Sequence, residues 1–389
     1  MGLMMEVVER RPSDSQLAVA RSLPDNSKPV WVKGQWALSA SDYLSEERFE
    51  HEKRKMFRQL PVPIGPSALL PQPGSFVCSD GYGVQVLLTR DREGVAHAFL
   101  NACRHRGTRL TTSQEVTKGR LVVCPYHAWS YDLTGKLVGV PREESFEAVD
   151  RQSMGLVRLP CREDAGLIWV TLDHTQQGDY SHLTPELMTD LAAIGLADMH
   201  FFARGVHEVD ANWKLAMDTF LEGYHVIRLH SQSLGDLFED TAVAVDRIGL
   251  HMRQVSGRLN FNQAMVDDTQ NSFKKLRKII TYVYNIFPNT VVICSPDYVN
   301  ILVMMPQGPR RTRIENFMLT NEEPTTEKLR SKWERSLALT DRKAFVEDFW
   351  AAALNQQGLE TGGTPELTLG GMERAMHLFH DSINGFLKP

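Results

Sequence analysis

The sequence predicts an α+β protein, with a small antiparallel β domain followed by a larger domain of helices and antiparallel strands. Three observations lead to this prediction. The chain has 389 residues, a length that favours two domains over one. Residues 61–172 contain short apolar strands separated by Gly, Pro and Asp turns. From residue 183 onward, helical periodicity alternates with longer strands.

We predict a division into three parts. Residues 1–60 include a helix that Ser45 caps and that Pro61 and Pro63 end, and this segment is expected to pack on the larger domain. Residues up to about 25 look weakly ordered because Ser, Pro, Asn and Arg are mixed there. The small domain is predicted at 61–175 and the larger domain at 176–389, with a polar linker at the junction.

The composition excludes several classes of protein. Hydrophobic and charged contents of 42% and 23% are ordinary for a globular chain, and a net charge of −5 does not suit a general nucleic-acid binder. Residues 1–6 lack the pattern of a signal peptide, and the longest apolar runs are too short to span a membrane. Five scattered cysteines do not form a disulfide framework, so we expect a cytoplasmic protein. Without a P-loop or a Gly-rich fingerprint, we do not expect the chain itself to bind a nicotinamide or a flavin.

Two short Cys-His pairs form the first candidate site, Cys103-x-His105 and Cys124-x2-His127. Structural zinc sites usually pair Cys with Cys and His with His. Here each pair offers one thiolate and one imidazole. Such a set suits two metals side by side, one held by both thiolates and one by both imidazoles, which is the Rieske [2Fe–2S] arrangement. A structural zinc site is the alternative.

The segment 212–230 forms the second candidate site. An apolar stripe predicts a helix over 213–229, and Asp218, Glu222 and His225 follow a second, polar stripe. His225 and His230 would not share a face of a regular helix, so they can meet at one metal only if the helix bulges or loosens there. Two His and one carboxylate bind Fe(II) as a facial triad. A solvated helix face with a salt-bridging His is the alternative.

Both segments resemble the motifs of Rieske non-haem iron oxygenases. The Cys-His loops resemble the Rieske domain, although Ala128 stands where the family usually has Gly. The string Asn-Trp-Lys at 212–214, followed by Glu-Gly-Tyr-His-x4-His at 222–230, resembles the catalytic-domain motif. The resemblance implies the terminal oxygenase (alpha) component of a ring-hydroxylating system, with a helix-grip catalytic domain. It implies a [2Fe–2S] cluster on Cys103, His105, Cys124 and His127.

The resemblance also suggests the remaining site residues. The segment around Asp348 is similar to the one in which an Asp ligates the iron beside His225 and His230, although Ala353 stands where the family often has Glu. Periodicity places the apolar face of this helix elsewhere, on Val346, Phe349, Trp350, Ala353 and Leu354, and Asp341 and Glu347 remain rivals. An acidic residue at the place of Glu222 bridges, in the family, an iron His to a Rieske His of the neighbouring subunit. The alternative for Glu222 is a surface ion pair with Arg228 or Lys214. His377 and His380 are expected to be structural.

The activity that the resemblance implies is oxidation by O2 at a mononuclear Fe(II). Electrons from NAD(P)H arrive through a separate reductase, with or without a ferredoxin, and a homotrimer without a small second subunit is expected. We expect hydroxylation, dealkylation or dihydroxylation of a hydrophobic, aromatic small molecule, because the strands supply apolar side chains at Tyr284, Phe287, Val292, Ile301 and Met304. The first alternative is a quaternary ammonium substrate in an aromatic cage. The alternative of another class is a non-catalytic iron–sulfur or zinc electron carrier.

Overall fold

The computed structural model describes residues 10–24, 31–259 and 261–388, without the side chains of 240–242. The predicted α+β class is confirmed, since helices flank five antiparallel sheets in this part of the chain. No described helix combines the length and the apolar composition that crossing a membrane requires. The prediction made for residues 1–6 lies outside the described residues, as does the first part of the segment expected to be weakly ordered.

The N-terminal segment is more regular than expected. It consists of α1 (Asp14–Arg21), β1 (Trp36–Ser39), α2 (Ser41–Leu44) and α3 (Glu46–Glu52), which a π-helical turn at Lys53–Arg58 continues. A reciprocal capping box orders α1, because Gln16 N–H donates to Ser13 Oγ and Ser13 N–H donates to Gln16 Oε1, both at 2.9 Å. The Gln16 side chain also donates to the Tyr284 hydroxyl at 2.8 Å, which ties α1 to the larger domain.

The small domain is built from short antiparallel strands. In chain order they are β2 (Pro61–Pro66), β3 (Ser75–Ser79), β4 (Val86–Arg90), β5 (Ala96–Leu100), β6 (Thr117–Lys118), β7 (Leu121–Val123), β8 (Ser130–Asp132), β9 (Leu137–Gly139), β10 (Arg158–Leu159), β11 (Cys161–Asp164) and β12 (Leu167–Thr171). They form sheets in the orders β10-β5-β4-β3-β6, β11-β12-β2 and β7-β8-β9. One Cys-His loop follows β5, and the other joins β7 to β8.

The larger domain is organised around a seven-stranded antiparallel sheet of order β13-β19-β18-β17-β16-β15-β14. Its elements in chain order are α4 (Pro185–Ile194), β13 (His200–Val209), α5 (Trp213–Asp218), α6 (Val226–Leu229), β14 (Phe238–Ile248), β15 (His251–Arg258), α7 (Ala264–Thr269), α8 (Phe273–Ile279), β16 (Ile280–Ile286), β17 (Thr290–Cys294), β18 (Tyr298–Gly308), β19 (Arg311–Thr320), α9 (Glu327–Leu339), α10 (Phe345–Glu360), β20 (Glu366–Leu369) and α11 (Arg374–Leu387). A π-helical turn at Thr340–Ala344 joins α9 to α10.

One predicted helix differs from the observed one. The helix expected over 213–229 ends at Asp218 and resumes at Val226. The Glu222 carboxylate accepts hydrogen bonds from the backbone N–H groups of Tyr224 and His225. In a continuous helix these N–H groups would donate to backbone carbonyls, and the side chain replaces those acceptors.

Candidate functional site

The two Cys-His loops share one backbone pattern. In the first loop, Cys103 N–H donates to Thr108 O at 2.8 Å and Gly107 N–H donates to Cys103 O at 2.9 Å. In the second loop, Cys124 N–H donates to Trp129 O at 2.8 Å and Ala128 N–H donates to Cys124 O at 3.0 Å. The backbone of each Cys therefore forms hydrogen bonds with the residues four and five positions later, so the two loops present their Cys and His side chains in the same manner.

This shared pattern explains the departure at Ala128. The residue four positions after each Cys has a positive φ, which is 75° at Gly107 and 58° at Ala128. A left-handed conformation costs a non-glycine residue about 1–2 kcal/mol, so glycine is the residue that fits both places best. Ala128 thus keeps the loop conformation at an energetic cost.

The thiols and the imidazoles lie at different depths. Cys103 and Cys124 are both buried, at 3% exposure, within a separate apolar cluster of the small domain that includes Phe99, Trp129 and Tyr131. His105 and His127 are half-buried above them, with ring centroids 4.7 Å apart. A buried pair of soft donors beneath a more exposed pair of nitrogen donors fits the unequal irons of a Rieske cluster.

The hydroxyl of Tyr131 supports the first thiol. It accepts the Arg104 N–H at 3.0 Å and lies 3.3 Å from Cys103 Sγ, so its own proton is directed at the sulfur. Burial raises the pKa of Cys103, and this hydrogen bond opposes that effect. A hydrogen bond to a ligand sulfur is one of the means by which proteins tune a cluster's potential.

The interruption between α5 and α6 brings the second set of residues together. His225 immediately precedes α6 and His230 immediately follows it, so the two imidazoles flank one short helical turn. Asp348 on α10 faces both of them: its Oδ1 atom lies 3.3 Å from His225 Nε2 and 3.2 Å from His230 Nε2. Within the described ranges, these three residues are the only group of three or more such side chains whose ligand atoms all lie within 4.8 Å of each other.

This geometry fits a single metal ion. Asp348 is buried at 3% exposure, and its Oδ1 accepts no regular hydrogen bond from any described residue. A buried anionic oxygen with no donor is costly unless a cation occupies the site. The site therefore offers two imidazole nitrogens and one carboxylate oxygen, the ligands of a facial triad.

A second carboxylate orients each imidazole. Glu222 Oε1 accepts from His225 Nδ1, and Glu347 Oε2 accepts from His230 Nδ1 at 2.6 Å. With Nδ1 engaged, each ring directs Nε2 toward Asp348. Carboxylates that bond the far nitrogen of a ligating His fix its tautomer and its orientation. Glu347, a rival for the ligand position, thus contacts His230 from the opposite side.

The same carboxylates raise the pKa of both imidazoles. Burial alone would lower it, but Asp348 and Glu222 raise the pKa of His225 to about 10, and Asp348 and Glu347 raise that of His230. A metal ion that binds Nε2 would have to displace any proton held there.

The other candidate acids have partners elsewhere. Asp341 lies 2.9 Å from His207 Nε2 and accepts from Asn316 at 3.0 Å. Asp218 accepts the Tyr43 hydroxyl at 2.7 Å and lies 3.0 Å from His380 Nε2. The polar stripe predicted for Asp218, Glu222 and His225 therefore divides, because the helix ends between its first and second members.

The predicted apolar face of α10 is wrong except at Phe349, which is buried. Its buried residues are Phe345, Asp348, Phe349, Ala352, Gln356 and Leu359. Val346, Trp350 and Leu354, which periodicity assigned to the core, are exposed at 46%, 59% and 44%. Asp348 lies on the buried side because a polar centre, rather than an apolar core, covers this part of the helix.

The tripeptide Asn212-Trp213-Lys214 anchors the segment that carries His225 and His230. The Lys214 ammonium is buried against both oxygens of Glu52 on α3, at 2.8 and 2.7 Å, and Trp213 Nε1 donates to the same carboxylate at 2.9 Å. Asn212 caps α5 by accepting Lys214 N–H at 3.0 Å. The alternative partner that the sequence suggested for Glu222, Lys214, is therefore bound to Glu52.

A cavity of about 290 Å³ opens beside His225, His230 and Asp348. The five apolar side chains suggested for a hydrophobic substrate do not line it. Tyr284, Val292 and Ile301 point to the opposite face of the sheet, because their neighbours Val283, Ile293 and Asn300 face the cavity. The cavity face of the sheet also carries Gln254, Ser256, Arg258 and Thr281. It is more polar than the sequence suggested.

Two further residues support the site and were missed in the sequence. Gln254 and Asn285 both donate side-chain N–H groups to the Phe220 carbonyl, at 2.5 and 3.0 Å. That carbonyl lies just after α5, where no helical donor reaches it. Amides on adjacent strands carry no periodic signal that would distinguish them from other buried polar residues.

Comparison with known proteins agrees with both metal centres. Residues 61–156 match the Rieske [2Fe-2S] domain model, and residues 196–388 match the model of the ring hydroxylating alpha subunit (catalytic domain). These matches imply a [2Fe–2S] cluster and a mononuclear iron centre. The resemblance stated from the sequence is confirmed.

Among curated proteins, the carnitine monooxygenase oxygenase subunit of Acinetobacter pittii is 31% identical over 192 residues, which are 49% of this chain and 51% of that protein. The chain thus spans about half the length of that relative. The chloroplastic choline monooxygenase of Spinacia oleracea is 26% identical over 364 residues, which are 90% of this chain and 78% of that protein.

Solved structures share the fold at low identity. A quaternary ammonium Rieske monooxygenase in complex with L-carnitine aligns with a TM-score of 0.76 at 22% identity, covering 91% of this chain and 96% of that one. Naphthalene 1,2-dioxygenase from Rhodococcus aligns with a TM-score of 0.75 at 18% identity, covering 90% and 94%. Since both align about equally well, the fold does not distinguish their substrates.

Proposed function

We propose that this chain, a member of the Rieske non-haem iron oxygenases, is a terminal oxygenase component. Its substrate would be a small molecule with a quaternary ammonium group. The observation that carries this proposal is the composition of the cavity at its metal end. Phe220 and Phe345 line it there beside the carboxylate of Glu222. Aromatic faces and carboxylates both attract a cation that has no N–H group to donate.

The relatives favour the same alternative over an aromatic substrate. The curated proteins described above are named as carnitine and choline monooxygenases. The apolar side chains that favoured an aromatic molecule lie on the opposite face of the sheet. We therefore place the quaternary ammonium substrate ahead of the aromatic one.

We assign Cys103, His105, Cys124 and His127 to the cluster, and His225, His230 and Asp348 to the iron. The cluster supplies electrons, and the iron with O2 supplies the oxidising chemistry. The chain's own residues prepare the second site. Glu222 and Glu347 orient each imidazole with Nε2 toward Asp348, which is itself buried. The cavity then holds the substrate beside this face.

We further propose a homotrimer in which the hairpin loops of one copy meet the iron site of the next. The second loop presents Tyr126, which is 56% exposed beside His127. Near the iron, Tyr224 on the loop before α6 and Val346, Trp350 and Leu354 on α10 are large apolar side chains left at the surface. Exposed apolar area of this kind is typical of an interface. Glu222 would lie there, bonded to His225 and available to His127 or His105 of the neighbour.

Other parts of the proposal concern the chain as a whole. We retain the division 1–60, 61–175 and 176–389 and a cytoplasmic location, for the reasons given from the sequence. A separate reductase, with or without a ferredoxin, would supply electrons from NAD(P)H. An electron carrier without catalysis does not require the cavity beside His225, His230 and Asp348.

The test is a substrate panel with the purified, iron-loaded protein and an added reductase. L-Carnitine and choline are compared with naphthalene and with 3,3-dimethylbutan-1-ol, the uncharged isostere of choline. We expect O2 consumption with an oxidised product from an ammonium compound, and no product from the isostere. Product from naphthalene but from neither ammonium compound would reverse the order of our two substrate classes. No product from any compound, with both metals bound, would favour the electron carrier.

A further inference from the structure

Arg258 gives the end of the cavity remote from the iron site a distinct chemistry. It is the last residue of β15 and lines the cavity together with Ser256 and Thr281. The same face of β15 carries Gln254, which bonds the Phe220 carbonyl close to the iron site. At a rise of about 3.4 Å per residue, the four residues from Gln254 to Arg258 cover about 14 Å. The cavity therefore has two ends.

The guanidinium of Arg258 is poorly satisfied by the protein. Among the described residues it donates one hydrogen bond, to Thr281 Oγ1 at 3.2 Å, and stacks 5.4 Å from the ring centroid of Phe238. An arginine has five N–H donors, so most of them remain available to a ligand. Burial lowers the pKa of Arg258, and no carboxylate offsets this effect.

Two other arginines of the same domain show the usual solutions. Arg253 is paired with Asp190 at 2.5 Å and also with Asp246. Arg277 donates to the carbonyls of Ser295 and Tyr298 at 2.6 and 2.5 Å. Each buried guanidinium there meets an anion or two carbonyls. Arg258 is only half-buried and has neither among its described contacts, so its remaining donors face the cavity or solvent.

The other charges at this end do not replace the missing anion. Lys332 and Asp297 line the cavity too, but their charged atoms lie 2.8 Å apart and neutralise each other. Glu239 also lines the cavity, and none of the described hydrogen bonds or ion pairs joins it to Arg258. Arg258 therefore has no paired carboxylate among its described contacts, whereas Glu222 and Asp348 line the metal end.

We infer that Arg258 binds a carboxylate of the substrate, at the end opposite to the group that is oxidised. The substrate would then be a zwitterion, with its ammonium group near the iron and its carboxylate on Arg258. The cationic half of this inference rests on the proposed function, and the anionic half rests on Arg258 alone. A guanidinium binds a planar carboxylate through two parallel N–H donors, which a lysine cannot do.

Three matched ligands separate the two halves. 4-(Trimethylammonio)butanoate carries both charges, butyltrimethylammonium carries only the cation, and 5,5-dimethylhexanoate carries only the anion. Their dissociation constants are measured by calorimetry on the protein with both metal centres loaded. The variants are Arg258→Gln and Arg258→Lys, and the control is Lys332→Met, which removes the other cation of the cavity.

We expect Arg258→Gln to weaken the binding of the zwitterion and of the carboxylate about 10- to 100-fold. The affinity for butyltrimethylammonium should be unchanged. Arg258→Lys should lose less affinity for these two ligands than Arg258→Gln. Lys332→Met should change the dissociation constant of the carboxylate by less than about 3-fold. If Arg258→Gln does not fold, Arg258→Lys must still discriminate the zwitterion from the cation for the inference to stand.

The outcomes distinguish this inference from the proposed function. Equal affinity of wild type and Arg258→Gln for the zwitterion would overturn the carboxylate site while leaving the ammonium proposal intact. An equal loss for all three ligands would also overturn it, since Arg258 would then be structural, and so would the absence of carboxylate binding to the wild type. Binding of 5,5-dimethylhexanoate that depends on Arg258, without binding of either ammonium compound, would uphold the carboxylate site and reject the ammonium substrate.

Discussion

His230 Nδ1 lies 2.6 Å from Glu347 Oε2, while its Nε2 lies 3.2 Å from Asp348, the next residue of the chain. Two consecutive acids of α10 therefore contact the two nitrogens of one imidazole. Their roles differ because Asp348 also reaches His225, whereas Glu347 is shared with the Ser233 hydroxyl at 2.6 Å. The first prediction concerns this difference.

Glu347→Gln should weaken iron binding about 10- to 100-fold without abolishing it, because the amide can still accept from Nδ1 but carries no charge to strengthen His230 as a ligand. Iron content after dialysis against graded chelator measures the effect. Ser233→Ala is the control, since it removes the other partner of Glu347. Complete loss of iron in Glu347→Gln would instead make Glu347 a ligand.

His225→Ala and Asp348→Ala should each lose the mononuclear iron and all product, because each removes one of three ligands. The visible spectrum of the cluster should persist in both variants. The matched control is Asp341→Ala, whose carboxylate bonds His207 and Asn316 rather than the triad. If Asp348→Ala kept its full iron content and Asp341→Ala lost the iron, Asp341 rather than Asp348 would be the third ligand.

Cys124→Ser should give a colourless protein, whereas the wild type purified without oxygen should be brown and should bleach with dithionite. The reason is that a cluster iron cannot keep its thiolate coordination with one sulfur removed. Cys78→Ser removes a buried thiol outside both loops and should remain brown. A colourless wild type containing only zinc would contradict both the cluster and the oxygenase.

Glu222→Gln should keep both metals and a reducible cluster but form little product. The amide still accepts from His225 Nδ1, yet it no longer offers the charged link to the neighbouring subunit's imidazole. Cluster reduction and single-turnover product yield are measured on the same sample. Product near the wild-type level would leave Glu222 without a part in electron transfer.

Ala128→Gly should stabilise the small domain by about 0.5–1 kcal/mol, because glycine adopts a positive φ without the strain that a Cβ brings. The urea midpoint of the cluster's visible absorption reports the change. Ala37→Gly, in the exposed strand β1, should instead destabilise the protein by about 0.5–1 kcal/mol. A loss of stability in Ala128→Gly would mean that the loop does not carry this strain.

The candidate ligand residues could be picked out from the sequence because metal coordination imposes chemistry at fixed short spacings. Cys103 with His105 and His225 with His230 are recognisable without any knowledge of packing. The sequence required a bulge or a loosened end between His225 and His230, whereas the observed interruption lies before His225 and was not predicted. Its cause, the hydrogen bonding of Glu222 to backbone N–H groups, depends on a competition that periodicity does not record.

The faces of the elements were harder to predict for a physical reason. Periodicity assigns large apolar residues to the core, yet Trp350 is exposed and Asp348 is buried. Val283 and Tyr284 are adjacent in one strand and point to opposite faces of the sheet. When both faces of a sheet are covered, both carry apolar residues, and the pattern does not show which face meets the cavity. Which face meets the cavity is decided by the helices that close over it.

The hydrogen bonds around Asp218 place both ends of the chain in contact with the segment that carries the histidines. Tyr43 comes from the N-terminal segment and His380 from the last helix, and both hold the carboxylate that closes α5. A truncation that removes Tyr43 or His380 would therefore leave a buried carboxylate with one of its two partners, four residues before Glu222. Tags and proteolytic cleavage near these two contacts are therefore expected to disturb the segment that carries the histidines, although they are distant from it in the sequence.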